Sequence, residues 1–458
     1  MPAERRSAGA LRYSGRFLDC STMLSETLHK MGVVGAGGAG FPASVKAKSR
    51  VEWMLANGAE CEPLLHKDYE LMKRYPAEIV AGLARMAEAT GAAKTRFGIK
   101  SKNKAAVDAL APHVKKAGME FTFLGDFYPS GDEYEIVYAA TGRLIPAGGI
   151  PLDVGCVVNN VETLYNVERA AQGEPVTKKF VSISGAVKKP CSFWAPLGTS
   201  FKELLAAAGG ATADEYGVFE SGLMMGTLTF DLKKVVTKTT CGLIVLPREH
   251  PLVERKSRPV EAMARIGRSA CDQCSYCTEF CPRYLLGYDV QPHKVMRTLG
   301  FTLAGEKNWS QWGQLCCACG LCTLYACPED LFPKEACDAA KASFREAGMK
   351  YTQPHPVVAH PMKEYRRVPQ EQLRKRLQVE QYETPTPFTP KSPEPSLVRL
   401  PTRQHAGKPA APVVSEGARV KAGDPIARMK EGELGADLHA SIDGRVQRVG
   451  PEEIWIER

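Results

Sequence analysis

The sequence predicts a multidomain α/β and α+β protein, and three observations carry that prediction. A glycine-rich loop, Gly35 to Gly40, leads into a β-α-β run ending near Leu124, the pattern of a Rossmann-like domain. Two cysteine arrays lie between Cys271 and Pro328 and read as a short helical domain organised around what the thiolates hold. A proline-rich stretch, Pro385 to Pro395, then sets off a compact β module at the end of the sequence.

Composition narrows the class. A chain of 458 residues fits about three domains at ~150 residues each. The formal charge of +9 is spread along the chain; a nucleic-acid binder would concentrate it in a stripe, so nucleic acid is excluded as a partner. A weakly basic surface helps an anionic dinucleotide approach. No apolar run reaches the ~18 residues of a membrane span. Arg5 and Arg6 are followed by no apolar stretch, which argues against a Sec or twin-arginine signal. Thiolate-rich sites want a reducing compartment, hence the cytoplasm or something enclosed within it.

Residues 1–30 are read as an N-terminal extension. It is polar up to about residue 20, with Arg5, Arg6, Arg12 and Arg16. From Ser21 to Met31, the residues Met23, Leu24, Leu28 and Met31 fall on one helical face, which docks on the body of the protein or serves as a targeting peptide. Residues 31–174 form the first domain. Gly35, Gly37, Gly38 and Gly40 spell G-x-G-x-x-G, with Glu60 about 20 residues onward. The context is wrong for a dinucleotide fingerprint, because a helix precedes the loop and Phe41-Pro42 interrupts the next one. No Gly-Lys-Ser/Thr follows, so it is not a Walker A loop either. What remains is a tight turn, or a loop whose N–H groups approach an anion or a flat ring, with Lys46 supplying charge for a phosphate.

Polar residues gather where strands end. Trp53 to Pro63 closes on Asn57-Gly-Ala-Glu60-Cys61-Glu62. A strand at Phe97–Lys100, a helix from Lys102 to Ala117 and a strand at Phe121–Leu124 run into Gly125 to Glu133. Ligands of open α/β sheets sit beyond such ends. Asn159, Asn160 and Thr163 then open a helix, an anion-binding place. Residues 175–255 read as a small α+β module: strands at Lys179–Val187 and Phe219–Gly222, and a helix Phe201–Ala208 stopped by Gly209-Gly210.

The cysteine domain spans 256–345. Cys271, Cys274, Cys277 and Cys281-Pro282 match the C-x2-C-x2-C-x3-C-P iron–sulfur pattern. Cys316, Cys319, Cys322 and Cys327-Pro328 repeat it with one extra residue. The fourth cysteine of each array reaches the other cluster, which predicts two [4Fe–4S] clusters: Cys271, Cys274, Cys277 with Cys327, and Cys316, Cys319, Cys322 with Cys281. Paired zinc knuckles are the rival, but zinc does not call for three evenly spaced cysteines and a Cys-Pro, twice. Cys317 in place of Cys316 would leave a bite too short for the loop. Residues 346–395 read as a charged helical stretch and the proline-rich linker, and 396–458 as the β module. Met429-Lys430 lacks the flanks of a swinging-arm carrier.

Together, Gly-Ala-Gly-Gly-Ala-Gly-Phe-Pro with Lys46, Asn57 to Pro63, Tyr128 to Glu133, Asn159 to Thr163 and the two cysteine arrays resemble the flavin- and NADH-binding subunit of respiratory complex I. They resemble still more the RnfC-like family, and within it the PduS-type cobalamin reductases of bacterial microcompartments. The resemblance implies a Rossmann-like FMN/NADH domain, a β-grasp SLBB domain, a helical di-cluster ferredoxin domain and a C-terminal barrel-sandwich hybrid. It implies FMN and NADH held by the glycine loop and Lys46, with Asn57, Glu60, Asn159, Asn160 and Thr163 lining FMN. Gly131, Asp132 and Glu133 fall on the nicotinamide side. Ala36 stands where complex I-type loops carry Arg, which weakens or rearranges a phosphate contact. In Rnf C subunits the barrel-sandwich domain is N-terminal; in the PduS type it is C-terminal, as here.

The implied activity is an NADH-dependent oxidoreductase with cobalamin as acceptor. The implied partners are a corrinoid adenosyltransferase and microcompartment shell proteins, and the implied location is the cytoplasm or a microcompartment. Two alternatives are a peripheral subunit of an Rnf-type membrane complex and a non-enzymatic SLBB scaffold with structural clusters.

Overall fold

A computed structural model of the chain describes residues 20–301, 307–430 and 432–458. The stretch with Arg5, Arg6, Arg12 and Arg16 lies outside the described residues. The amphipathic helix runs Cys20–Lys30, and its apolar face packs into the core through Leu24 and the fully buried Leu28.

The strand Trp53–Gly58 is the axis of a four-stranded parallel sheet. Lys94–Lys100 and then Glu120–Leu124 lie on one side, Cys156–Asn160 on the other. Met54, Leu55 and Ala56 are fully buried, and Val157 and Val158 nearly so. That is what a parallel sheet covered on both faces requires. The strand order is 3-2-1-4, so the winding reverses between the first and fourth strands, where doubly wound folds bind ligands beyond the strand ends. Those ends are Asn57-Gly58 and Asn159-Asn160. The glycine loop comes before the first strand, not after it, so it enters the site from the side.

The next module is a five-stranded mixed sheet. Lys178–Gly185 pairs parallel with Gly242–Pro247, and the remaining pairs are antiparallel. The helix Phe201–Ala207 starts in a capping box between Ser200 and Glu203. Cys191–Pro196 is an edge strand of this sheet, and the proline-rich stretch partly covers it. Ser192 N–H donates to the Pro387 carbonyl at 3.0 Å, Thr389 N–H donates to the Ser192 carbonyl at 2.8 Å, and Phe388 stacks on Phe180. Rather than spanning free, this segment closes a vulnerable sheet edge.

In the cysteine domain, the helices Val260–Ala270, Pro292–Phe301 and Pro333–Glu346 pack on one another. The predicted helical stretch beyond residue 346 is only partly realised. The next α-helix is Gln370–Leu377, and residues 350–367 contain no α-helix. Pro354, Pro356 and Pro361 interrupt them. Their polar groups bind neighbours instead: His360 N–H donates to the Leu285 carbonyl, and Lys363 pairs with the buried Glu135 at 2.8 Å.

The final module is two small sheets, one built on Leu397–Pro401, Glu453–Glu457 and Gly444–Val449, the other on Pro425–Arg428. It sits on the first domain. Ala406 N–H donates to the Gly40 carbonyl, and Asp437 N–H donates to the His29 carbonyl. The buried Lys238 clamps both parts, donating to the Gly32 and Asp437 carbonyls at 2.7 Å each.

Candidate active site

The glycine loop is a pinched hairpin. Val34 bridges Pro42, and Gly35 N–H donates to the Phe41 carbonyl at 2.9 Å. One wall is the helix Val161–Ala171. Ala36 N–H donates to Thr163 Oγ1 at 2.9 Å, and a Cβ on Gly37 would stand 3.2 Å from Asn160 Cβ. At Gly38, with φ at +112°, a Cβ would meet nothing within 4 Å. The loop is thus pressed against protein along its sides and open at Gly38. From the short helix Ala43–Ala47, Lys46 donates to the Val158 carbonyl at 2.6 Å and lies 3.8 Å from Glu133 Oε1.

The strand ends interlock around the crevice. Asn57 Nδ2 donates to the Gly131 carbonyl at 2.9 Å, and its Oδ1 accepts from Ala59 N–H. The approach is so close that a Cβ on Gly131 would lie 2.4 Å from the Ala59 carbonyl oxygen. Asn160 caps the helix by accepting from Glu162 N–H and donates to Asp68 at 2.7 Å. Among the described residues, the nearly fully buried Asn159 amide donates to a weak acceptor, Met54 Sδ at 3.6 Å, which leaves it capacity to bond a polar ring edge. Glu60 accepts from Asp68 N–H; burial, and next the Asp68 carboxylate, push its pKa up to about 8. Asp132 caps the helix Glu133–Thr141 and forms a two-point pair with Arg283 at 2.6 and 3.0 Å. An open loop backed by amide, carboxyl and ammonium groups fits a phosphorylated flavin.

Sequence reasoning missed the charges beneath this floor. Glu162, fully buried, accepts from Lys67 at 3.0 Å, from Phe180 N–H at 3.1 Å and from Lys179. Lys179 also donates to the Ala36 carbonyl at 2.7 Å, so it fixes the glycine loop directly. Burial works against the Lys67 cation, but Asp68 and Glu162 outweigh it and hold its pKa above the ordinary lysine value. Burial lowers that of Lys179. Glu162 lies inside the Asn159–Thr163 stretch, and Lys179 is a charge on the inward face of a strand. Those were the available signals.

The two cysteine arrays adopt copies of one loop. Gln273 and Ser275 have φ of +64° and +67°; Ala318 and Gly320, at the corresponding places after Cys316, have +56° and +82°. Such left-handed turns aim successive N–H groups inward. Ala318 N–H donates to Cys316 Sγ at 3.3 Å, and Leu331 N–H donates to Cys327 Sγ at 3.3 Å. Cys271, Cys274, Cys277 and Cys327 line one small cavity with His293 and Met296. Burial, then Cys327, Cys271 and Cys274, push the Cys277 thiol up to about 12. Cys281, Cys319 and Cys322 lie close to both Cys316 and Cys317: burial, then Cys316 and Cys281, raise the Cys322 thiol, and burial, then Cys317 and Cys316, raise that of Cys281. Cys317 lies against Cys319, and the fully buried Cys337 against Cys316. The second loop rests on the first domain, where Tyr128 donates from its hydroxyl to the Cys319 carbonyl at 2.7 Å.

Four family models match in chain order: the Nuo51 FMN-binding domain over residues 28–169, the SLBB domain over 180–228, a 4Fe-4S dicluster domain over 270–332, and the RnfC barrel sandwich hybrid domain over 379–457. The cobalamin reductase PduS of Salmonella typhimurium (strain LT2) is 39% identical over 437 residues, covering 95% of this chain and 96% of that one. The PduS of Citrobacter freundii is 37% identical over the same shares. A crystal structure of an NAD+-reducing [NiFe]-hydrogenase in the H2-reduced state aligns with 75% of this chain and 65% of its own, at 21% identity and a TM-score of 0.48.

Proposed function

Because this chain belongs to the PduS-type cobalamin reductase family, we propose that it is an NADH-dependent flavin and iron–sulfur oxidoreductase whose electron acceptor is cobalamin. The observation that carries the reading is the seating of both cysteine arrays on the crevice, the second through Tyr128–Cys319 and the first through Asp132–Arg283, just beyond Cys281. When bound, FMN converts a two-electron donor to single electrons, and two [4Fe–4S] clusters carry those singly.

The residues divide the work by position. N–H groups at Gly37, Gly38 and Gly40 and the Lys46 ammonium would hold the phosphate, while Gly35, whose N–H is bonded to the Phe41 carbonyl, would shape the loop around it. Asn57, Glu60, Asn159, Asn160 and Thr163 orient the ring, with Glu60 protonated at neutral pH and so able to donate a hydrogen bond. Gly131 lets its strand-end loop close against Ala59 on the nicotinamide side, where Asp132 and Glu133 would set the rim. The matching left-handed turns support Cys271, Cys274, Cys277 with Cys327 as one ligand set, and Cys316, Cys319, Cys322 with Cys281 as the other. Cys316, and not Cys317, holds the place equivalent to Cys271.

Among the described residues no helix is long and apolar enough to cross a membrane. The resemblance further supports work inside a microcompartment, beside shell proteins and a corrinoid adenosyltransferase. The test is anaerobic reconstitution followed by NADH oxidation in the presence of cob(III)alamin. We expect FMN, about eight irons and coupled corrinoid reduction. A holoprotein that reduces dyes but never corrinoid overturns the acceptor.

A further inference from the structure

A cavity of about 1090 Å3 opens between the helix Cys20–Lys30, the helix Ala43–Ala47 and the C-terminal module. Pockets for drug-sized ligands run to roughly 300–1,000 Å3, so this one suits something larger. Its lining mixes apolar and charged groups, among them Met31, His29, Lys48, Arg428, Asp437 and His439. A large, flat, amphipathic ligand with an anionic appendage matches such a surface.

Its position ties it to the crevice. On the helix Ala43–Ala47, Lys46 reaches the strand end at Val158, while Ser44 and Val45, with Lys48 just beyond, face the cavity. One short helix, about 10 Å across, separates the two. Inside the cavity, His29 Nε2 lies 3.8 Å from Asp437 Oδ1. That separation is too long for a hydrogen bond, but it places one ring nitrogen beside a carboxylate, the side from which metal-ligating histidines are held, with the other nitrogen left for the metal. His439 lies deeper; burial, and then Lys238, push its pKa down to about 4, so it adds no positive charge. Lys48 and Arg428 are exposed and can meet a phosphate.

We propose that this cavity receives the corrinoid, with the His29 imidazole facing cobalt and Lys48 and Arg428 facing the phosphate of the nucleotide tail. The inference rests on the cobalamin-reductase reading above and adds the place of binding. One NADH gives up two electrons and one proton's worth of hydrogen as NAD+ and H+ form. Each of two Co(III) centres takes one electron, becomes Co(II) and releases an axial ligand.

The test uses the full holoprotein with aquacobalamin and with diaquacobinamide, which lacks the nucleotide tail and its phosphate. Binding is measured by anaerobic ultrafiltration, and the Co(II) forms are read by EPR. Wild-type protein with cob(II)inamide should show the three-line splitting of one axial nitrogen, and His29→Ala should lose it. Lys48→Glu combined with Arg428→Glu should weaken cobalamin roughly tenfold or more, as lost charge-assisted contacts do, and leave cobinamide within about twofold on the same scale. Unchanged FMN content and NADH:dye activity show that the variants fold. Splitting that survives in His29→Ala, or equal affinity of the double variant for both corrinoids, overturns the proposal. Wild-type protein that binds neither corrinoid and reduces only dyes overturns instead the reading on which it rests.

Discussion

Asp132 and Arg283 are joined by two hydrogen-bonded contacts, 2.6 and 3.0 Å long, across the boundary between the first domain and the cysteine domain. Both side chains are largely buried, and the guanidinium also lies 3.7 Å from the Tyr134 ring centroid. Removing one partner of a buried pair strands the other, at about 3 kcal/mol or more. Arg283→Ala should therefore lower the thermal midpoint and raise KM for NADH. Arg283→Lys keeps the charge but loses the fork, and should fall between. Calorimetry with steady-state kinetics checks both.

Tyr128 contributes one neutral hydrogen bond to the Cys319 carbonyl. Tyr128→Phe strands a buried carbonyl and should cost about 1–3 kcal/mol, with iron and flavin content intact. With the donor gone, the carbonyl beside the second cluster faces it unneutralised, so that cluster should become harder to reduce. An EPR-monitored redox titration would show its potential moving downward.

Glu60 gives a pH dependence with a definite sign. Its folded pKa is about 8 against an ordinary value of 4.5, so the folded state holds a proton that the unfolded chain releases. Its stabilising effect is full below about 4.5 and is lost as pH rises to about 8. Glu60→Gln should flatten stability across that window and remove an inflection near pH 8 from NADH-dependent flavin reduction. Denaturant titrations and a pH–rate profile, each on both proteins, test this.

Cys316 and Cys317 can be separated by iron analysis. Cys316→Ser should drop the iron content from about eight to about four, while Cys317→Ser should keep about eight. The opposite pattern would move the ligand by one residue and break the equivalence of the two loops.

Much of the site was legible because its chemistry is local. The cysteine spacing, the glycine run and the Asn159–Thr163 helix start each lie within a dozen residues. What escaped depends on meetings across the chain. Lys67, Glu162 and Lys179 come from three different segments and converge only because the sheet and the next module share a core. Tyr128 and Arg283 carried no spacing signal, since their partners sit 191 and 151 residues away. The prolines between 354 and 361 counted against a helix in the sequence itself, yet high charge outweighed them. Phe388 looked like part of a free linker because nothing nearby in sequence shows the ring of Phe180 beneath it.

The barrel-sandwich module, last in the chain, lies beside the first described helix, with Asp437 bonded to His29 and Ala406 to Gly40. The first described helix and the last module are therefore spatial neighbours. Relatives that carry this module at the opposite end need not have rebuilt anything: a shuffled gene order can return the same block to the same berth above the glycine loop. Evolution could permute the string while leaving the object in place.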